Sequence, residues 1–238
     1  MTTYVYGIAH LGRGPLPENL TGIGDPPLPV RLVTHDDLAA VVSDCPERLR
    51  PKRRDLLAHQ NVVTEVGRRA PLLPMRFGSL SDSDDRVRDV LDEHADRYRE
   101  QLERLSGRVE YNVKAVHRED AVLHLVLAEN AGLRSLAAAN QADGGGSYEQ
   151  RLRFGELVAQ GVREREGRDA ELVREALAPL AERERTGPEN SGCFLNVSYL
   201  IEEAAARRLL DEVRRLEKTH PQLELTVHGP LPPYSFVE

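Results

Sequence analysis

The sequence predicts an α+β protein of two domains. Three observations carry that prediction. Short runs of β-branched and aromatic residues are interspersed with longer segments whose apolar residues recur every three to four positions. The chain has 238 residues, which suits one large domain or two small ones. A long helical pattern ends at Ser106-Gly107, and a strand of period two begins directly after it. The expected domains are therefore a mixed α/β domain over 1–106 and a second domain over 107–238.

Tyr4 to Ala9 reads as a strand. Gly12 to Pro29 is too rich in Gly and Pro to hold a regular element. Val30–Val33 and Leu38–Val42 read as a hairpin, turning at His35-Asp36-Asp37. Pro51 suits a first helical position. Leu56, His59, Val63 and Val66 then line one helical face up to Gly67. Pro71 to Phe77 reads as a short buried strand. Ser81-Asp82-Ser83-Asp84 is an N-cap cluster. Val87, Leu91, His94, Tyr98, Leu102 and Leu105 then keep one apolar face over about six turns.

In the second half, Arg108 to His117 alternates Val109, Tyr111, Val113 and Ala115 with Glu110, Asn112, Lys114 and Val116. A helical stretch follows from about Glu119 to Ala139, and Asp143 to Ser147 is a flexible break. Its three glycines lack the Lys-Ser/Thr of a phosphate loop. Tyr148 to Glu166 and Asp169 to Arg185 read as two helices, or as one interrupted near Gly167. Their alternating charges, as in Glu182-Arg183-Glu184-Arg185, read as a solvated helix face. Gly192 to Ile201 is the clearest strand. Glu202 to His220 is a helix stopped by Pro221, with Ala205, Leu209, Val213 and Leu216 in register, and Leu223 to Val227 is a last strand. This layout is most of a ferredoxin-like split βαβ arrangement with a helical elaboration between its first two strands.

Composition excludes several classes. Hydrophobic residues make up 40% and charged residues 30%, with a mean hydropathy of -0.47. No stretch approaches the roughly 18 to 20 uncharged apolar residues of a spanning helix, since Ala121 to Ala128 is interrupted by His124. No secretory signal is visible in the opening residues, so a cytoplasmic protein is expected. A net charge of -7 and 5% aromatic content without Trp disfavour nucleic-acid binding. Cys45 and Cys193 read as free thiols.

The search for chemistry points away from catalysis. The eight histidines, at 10, 35, 59, 94, 117, 124, 220 and 228, show no metal-binding spacing. Gly22-Ile23-Gly24 lacks the third glycine of a dinucleotide site, and no nucleophile elbow is present. No catalytic, cofactor-binding or metal-binding residue is therefore assigned. Two segments stand out instead. Leu72 to Gly78 carries Arg76 in an apolar run, where a buried guanidinium needs a carboxylate from a neighbouring helix or a partner chain. Gly229 to Phe236 is stiffened by three prolines and presents Tyr234 and Phe236. It reads as a tail docked on its own molecule, with a docking surface for another protein as the second reading.

These blocks carry a family resemblance. Tyr4 to Ile8, His59 to Val63 with Leu73-Pro74-Met75-Arg76-Phe77-Gly78, Gly107 to Lys114, and Gly229 to Phe236 stand in the order of the gas vesicle F/L proteins. The chain resembles that family over nearly its whole length. The resemblance implies two α+β domains, the second a modified ferredoxin-like one. It also implies an accessory, non-enzymatic role without a cofactor. The implied partners are the hydrophobic GvpA-type major shell protein, whose aggregation family members limit during nucleation and assembly, and other accessory proteins. Nucleic acid and lipid membrane are not among them. Met75, Arg76 and Phe77 are the expected partner-binding residues, in a groove between the domains, and Tyr234 and Phe236 the tail-docking ones. An enzyme using an inter-domain cleft stands as the alternative, and an RNA-binding module as a weaker third.

Overall fold

A computed structural model describes residues 1–11, 16–17, 19–47, 49–142, 144–188 and 192–237. The chain divides into two compact units, Met1–Glu110 with Gly229–Glu238, and Tyr111–His228. The closing residues, which the sequence reading grouped with 107–238, thus belong to the first unit.

The first unit is built on β1 (Thr3–His10), β2 (Arg31–His35), β3 (Leu38–Asp44), β4 (Leu72–Pro74) and β5 (Leu80–Ser81), in the order β2-β3-β1-β4, with β5 also on β1. All its pairings are antiparallel. The β2–β3 hairpin turns through Asp36, whose φ of 48° is the left-handed value that a tight turn asks for and that Asp tolerates. Of the 12–29 stretch, residues 12–15 and 18 lie outside the described residues; the remainder holds only the isolated bridge Thr21–Pro29. No residue of β1 or β3 is exposed, so both faces of the sheet are covered. Gly7 sits where β1 shifts register between its partners. A Cβ there would lie 2.7 Å from the Leu73 carbonyl oxygen, so only glycine lets β4 approach.

Three helices pack on this sheet. α1 (Arg53–Gly67) begins two residues after Pro51 and buries Asp55, His59, Val62, Val63 and Val66. Each of its valines contributes about 1.5–3 kcal/mol by leaving water. Leu56, expected on the inner face, is exposed: Asp55 takes the inward position because Gly24 N–H donates to its Oδ1 at 3.1 Å. The long helix expected over 84–105 is two, α2 (Asp84–Glu93) and α3 (Ala95–Leu105), broken at His94 with φ −121° and ψ 18°. Val87, Leu91, Leu102 and Leu105 are buried as the periodicity requires, but His94 at the break is exposed. Ser83 caps α2, its side chain accepting from Arg86 N–H at 3.1 Å. The expected strand over 71–77 shrinks to β4, because the chain turns at Phe77-Gly78, where Gly78 has φ 90°.

The second sheet has the order β7-β8-β6-β9, from β6 (Arg108–His117), β7 (Arg183–Thr186), β8 (Leu195–Glu202) and β9 (Leu223–Leu231). Between β6 and β7 lie α4 (Glu119–Glu129), α5 (Ala131–Ala142) and α6 (Tyr148–Leu177); α7 (Ala206–Thr219) links β8 to β9. The helical stretch expected over 119–139 breaks at Asn130, whose side chain accepts from Leu133 N–H at 3.0 Å to start α5. Asp143 of the expected break lies outside the described residues. Ser147 and Gln150 form a reciprocal capping box that starts α6. α6 then runs 30 residues through Gly167 without interruption. One glycine costs about 1 kcal/mol, too little to break a helix anchored beyond it by buried Asp169, Val173 and Leu177. At Gly161 a Cβ would lie 2.6 Å from Val126 Cγ1, so this glycine seats α4 on α6.

β7 corrects the sequence reading most. Residues 183–185, expected at the end of a helix, belong instead with Thr186 to a strand antiparallel to β8. The chain leaves the helix in a 3-10 turn containing Pro179. Charge alternating at period two then suits a strand edge as well as a helix surface. Glu184, opposite Tyr199, pairs with Arg174 of α6. Among the described residues, no helix is long and apolar enough to cross a membrane.

Candidate functional site

The Met75–Phe77 segment sits above a buried knot of aromatic rings and hydrogen bonds in the first unit. β1 supplies Tyr4 and Tyr6, both fully buried, and α1 supplies His59, 4% exposed. Tyr4 Oη lies 2.8 Å from His59 Nδ1, and His59 Nε2 lies 3.0 Å from the Met75 carbonyl oxygen. A carbonyl can only accept, so Nε2 carries the imidazole proton. Nδ1 must then accept from the Tyr4 hydroxyl. Tyr4 Oη in turn accepts from Gly78 N–H at 3.1 Å. Every polar atom of this chain of bonds has one role.

The neutral imidazole is what burial favours. Desolvation lowers the His59 pKa, outweighing the hydrogen bond to Met75 that opposes it. Desolvation also raises the phenol pKa values of Tyr4 and Tyr6. The rings pack closely. The Tyr6 and His59 rings stack at 5.4 Å, and Phe77 meets Tyr4 at 5.9 Å and His59 at 5.8 Å edge-on. Tyr6 Oη completes the floor, accepting from Ile23 N–H at 2.9 Å and lying 3.0 Å from Ser43 Oγ.

The closing segment joins the same knot. The Tyr234 ring lies 6.5 Å from that of His59, and its phenol is pushed up to about 12 by burial and by the Glu110 charge. Phe236 is 2% exposed. Between them Ser235 donates twice to the buried Glu110 carboxylate, from N–H at 2.9 Å and from Oγ at 2.7 Å.

The expected residues thus fall into different situations. Met75 and Phe77 are half-buried; Met75 contributes its carbonyl and Phe77 its ring. Arg76 is exposed and makes no ion pair with the described residues, because the chain turns before its guanidinium can enter the core. Among the described residues no helix carboxylate takes the pairing expected of it. Tyr4, Tyr6, Ser43, Glu110 and Ser235 were not singled out from sequence. The Tyr-x-Tyr spacing on a strand, which puts both rings on one face, was the available signal.

With both ring nitrogens of His59 engaged, the knot positions its neighbours and offers no free base. In the second unit His117 Nε2 lies 2.9 Å from Asp169 Oδ2, which also receives Gln222 Nε2 at 3.1 Å, while Arg165 pairs with Asp169 Oδ1 at 2.9 Å. Burial alone would raise the Asp169 pKa, but these three donors outweigh it and hold the carboxyl below its ordinary value. Beside this network a cleft of about 540 Å³ opens between α4, Arg165 and the Thr219–Gln222 turn. Cys45 and Cys193 are free thiols. Among the described residues no group of His, Cys, Asp and Glu could hold a metal ion.

Comparison with known proteins follows the fold. The family profile described as gas vesicle synthesis protein GvpL/GvpF matches residues 2–238. The chain is 54% identical to gas vesicle protein F of Streptomyces sp. (strain CB03234), over 100% of both chains. It is 31% identical to gas vesicle protein L of the same strain, over 98% of this chain and 91% of that one. The crystal structure of gas vesicle protein GvpF from Anabaena sp. PCC7120 superposes with a TM-score of 0.78 at 24% identity, covering 100% of this chain and 98% of that one. That of GvpF from Microcystis aeruginosa gives 0.73 at 23%, covering 100% and 99%. At these identities the two crystal structures speak for the fold.

Proposed function

Since the chain belongs to the gas vesicle synthesis protein GvpL/GvpF family, we propose that it is a cytoplasmic accessory protein that binds the hydrophobic shell protein and limits its aggregation while the vesicle nucleates and grows. The family match over 2–238 carries this reading. In its second unit we read β6, β7, β8, α7 and β9 as a ferredoxin-like domain, with α4, α5 and α6 as the helical elaboration.

The physics supports a binding role. A shell subunit that ends in a wall excluding liquid water exposes apolar surface before it is assembled. A soluble partner can cover that surface. The first unit offers apolar groups for this: Leu56, Leu57 and Leu80 are exposed, and Met75 and Phe77 are half-buried on a preorganised base. Arg76, between Met75 and Phe77 in the chain, is an exposed cation able to meet a carboxylate of the partner. The surplus of acidic residues, net charge -7, keeps such a complex soluble. The enzyme reading finds no support in His59 and His117, since each is engaged in a hydrogen bond that fixes structure.

The test is co-expression with the shell protein, followed by pull-down and a solubility assay. Wild type is expected to retain shell protein in the soluble fraction, and Arg76→Ala with Phe77→Ala to lose most of that effect while keeping its circular dichroism spectrum. Binding by the folded double mutant at the wild-type level removes Met75–Phe77 as the contact.

A further inference from the structure

We propose that the closing segment Pro232–Phe236 is a displaceable strap that occupies the aromatic seat beside Met75–Phe77 until a partner segment takes its place. The inference rests on the shell-binding reading above and adds how that site is regulated.

The seat is the surface formed by His59, Phe77 and the Glu110 carboxylate. Tyr234 and Phe77 pack on the same aromatic cluster, so the strap lies on the surface assigned to the partner. The strap's backbone bonds close on itself, Tyr234 N–H to the Pro232 oxygen at 2.8 Å and Phe236 N–H to the Pro233 oxygen at 3.0 Å. Pro230, Pro232 and Pro233 have no N–H at all. Apart from the Ser235 N–H, which donates to Glu110, the segment therefore carries these backbone bonds with it when it leaves, unlike a strand that must break a ladder. Its hold on the body comes from side chains, the rings of Tyr234 and Phe236, and from the two donors of Ser235 on Glu110.

This arrangement also defines the replacement. Uncovering the seat would take both donors from a carboxylate that is 4% exposed while the strap is seated, and would leave apolar ring faces without cover. A partner must bring a large apolar side chain to His59 and Phe77 and a donor to Glu110. An apolar segment entering through a helix N-terminus, or carrying a lysine, meets both needs. While the strap is seated, the apparent affinity for such a segment is reduced by the fraction of molecules in the open state.

Two full-length variants open the strap without altering the rings. Ser235→Asp puts a second carboxylate against Glu110. Ser235→Ala removes the Oγ donor to Glu110 while leaving the seat itself unchanged, and serves as the check should the first variant lose its fold by circular dichroism. The shell-protein pull-down is expected to show Ser235→Asp binding at least about fivefold tighter than wild type, and Ser235→Ala about twofold. A synthetic peptide of residues 229–237 in excess should reverse the gain. Binding by a folded open variant that is equal to or weaker than wild type overturns the strap. If neither wild type nor variants bind shell protein, the functional reading fails, and the labelled peptide alone then decides: binding to Ser235→Asp but not to wild type upholds the strap, and binding to neither overturns it.

Discussion

Replacing Tyr4 by Phe deletes one oxygen from the centre of the first unit. That oxygen donates to His59 Nδ1 at 2.8 Å and accepts from Gly78 N–H at 3.1 Å. The ring stays, so packing against Tyr6, His59 and Phe77 is unchanged. His59 cannot compensate by shifting its proton, because Nε2 must keep donating to the Met75 carbonyl at 3.0 Å. Nδ1 is left as a buried acceptor without a donor, a loss of about 1–3 kcal/mol. Gly78 is exposed and its amide can turn to water, so that half of the loss is small. The expected sum is about 2 kcal/mol, concentrated where the 75–78 turn meets β1. Hydrogen exchange followed by mass spectrometry reads it directly. Peptides covering 72–81 should exchange about 30-fold faster, since each 1.4 kcal/mol is a factor of ten. Peptides from α6 should not change. Exchange over 72–81 within twofold of wild type would refute the assignment of proton positions.

Two further outcomes follow from the buried polar groups. The folded pKa of His59 lies below its ordinary value of 6.5. The unfolded chain therefore binds the proton more readily. The contribution of neutral His59 to stability is present in full above pH about 6.5 and is lost as pH falls through the depressed folded value. Urea midpoints measured between pH 8 and pH 5 should fall in wild type, and a His59→Gln chain should lack that component of the slope. Asp169→Ala removes the acceptor shared by His117, Arg165 and Gln222. It leaves Arg165 buried with one carboxylate fewer and should destabilise the second unit by about 3–5 kcal/mol in urea unfolding. A change under 1 kcal/mol would mean that water replaces the carboxylate in that network.

Much of the fold was legible because strand periodicity is local. Tyr4 to Ala9, the hairpin at Asp36, Arg108–His117 and the α7 face each follow from side chains that must alternate or recur to reach one core. The family was legible for a related reason: the same local blocks recur in order along the chain. The exceptions are instructive. Residues 182–185 alternate in charge, and alternation of charge is compatible with a solvated helix or with an edge strand. Pairing with β8, remote in sequence, made the choice. Leu56 and Asp55 are neighbours in sequence, and the distant Gly24 amide decided which of them faces in.

The proposed site divides the same way. Met75, Arg76 and Phe77 could be picked out from sequence as a cation in an apolar run. Sequence alone also singled out the proline-stiffened segment with Tyr234 and Phe236. It could not say that Arg76 is exposed, that His59 holds the Met75 carbonyl, or that Glu110 receives Ser235 from 125 positions away. Local pattern determined which residues are apolar, stiff or charged, and hence the elements. Which polar group ends beside which is a property of chain segments brought together from far apart, and the cost of leaving a buried donor or acceptor alone is what selects among those arrangements. For this chain the sequence determined the α+β character and the family, and only the tertiary structure decided that its closing segment lies on the same aromatic knot as Met75–Phe77.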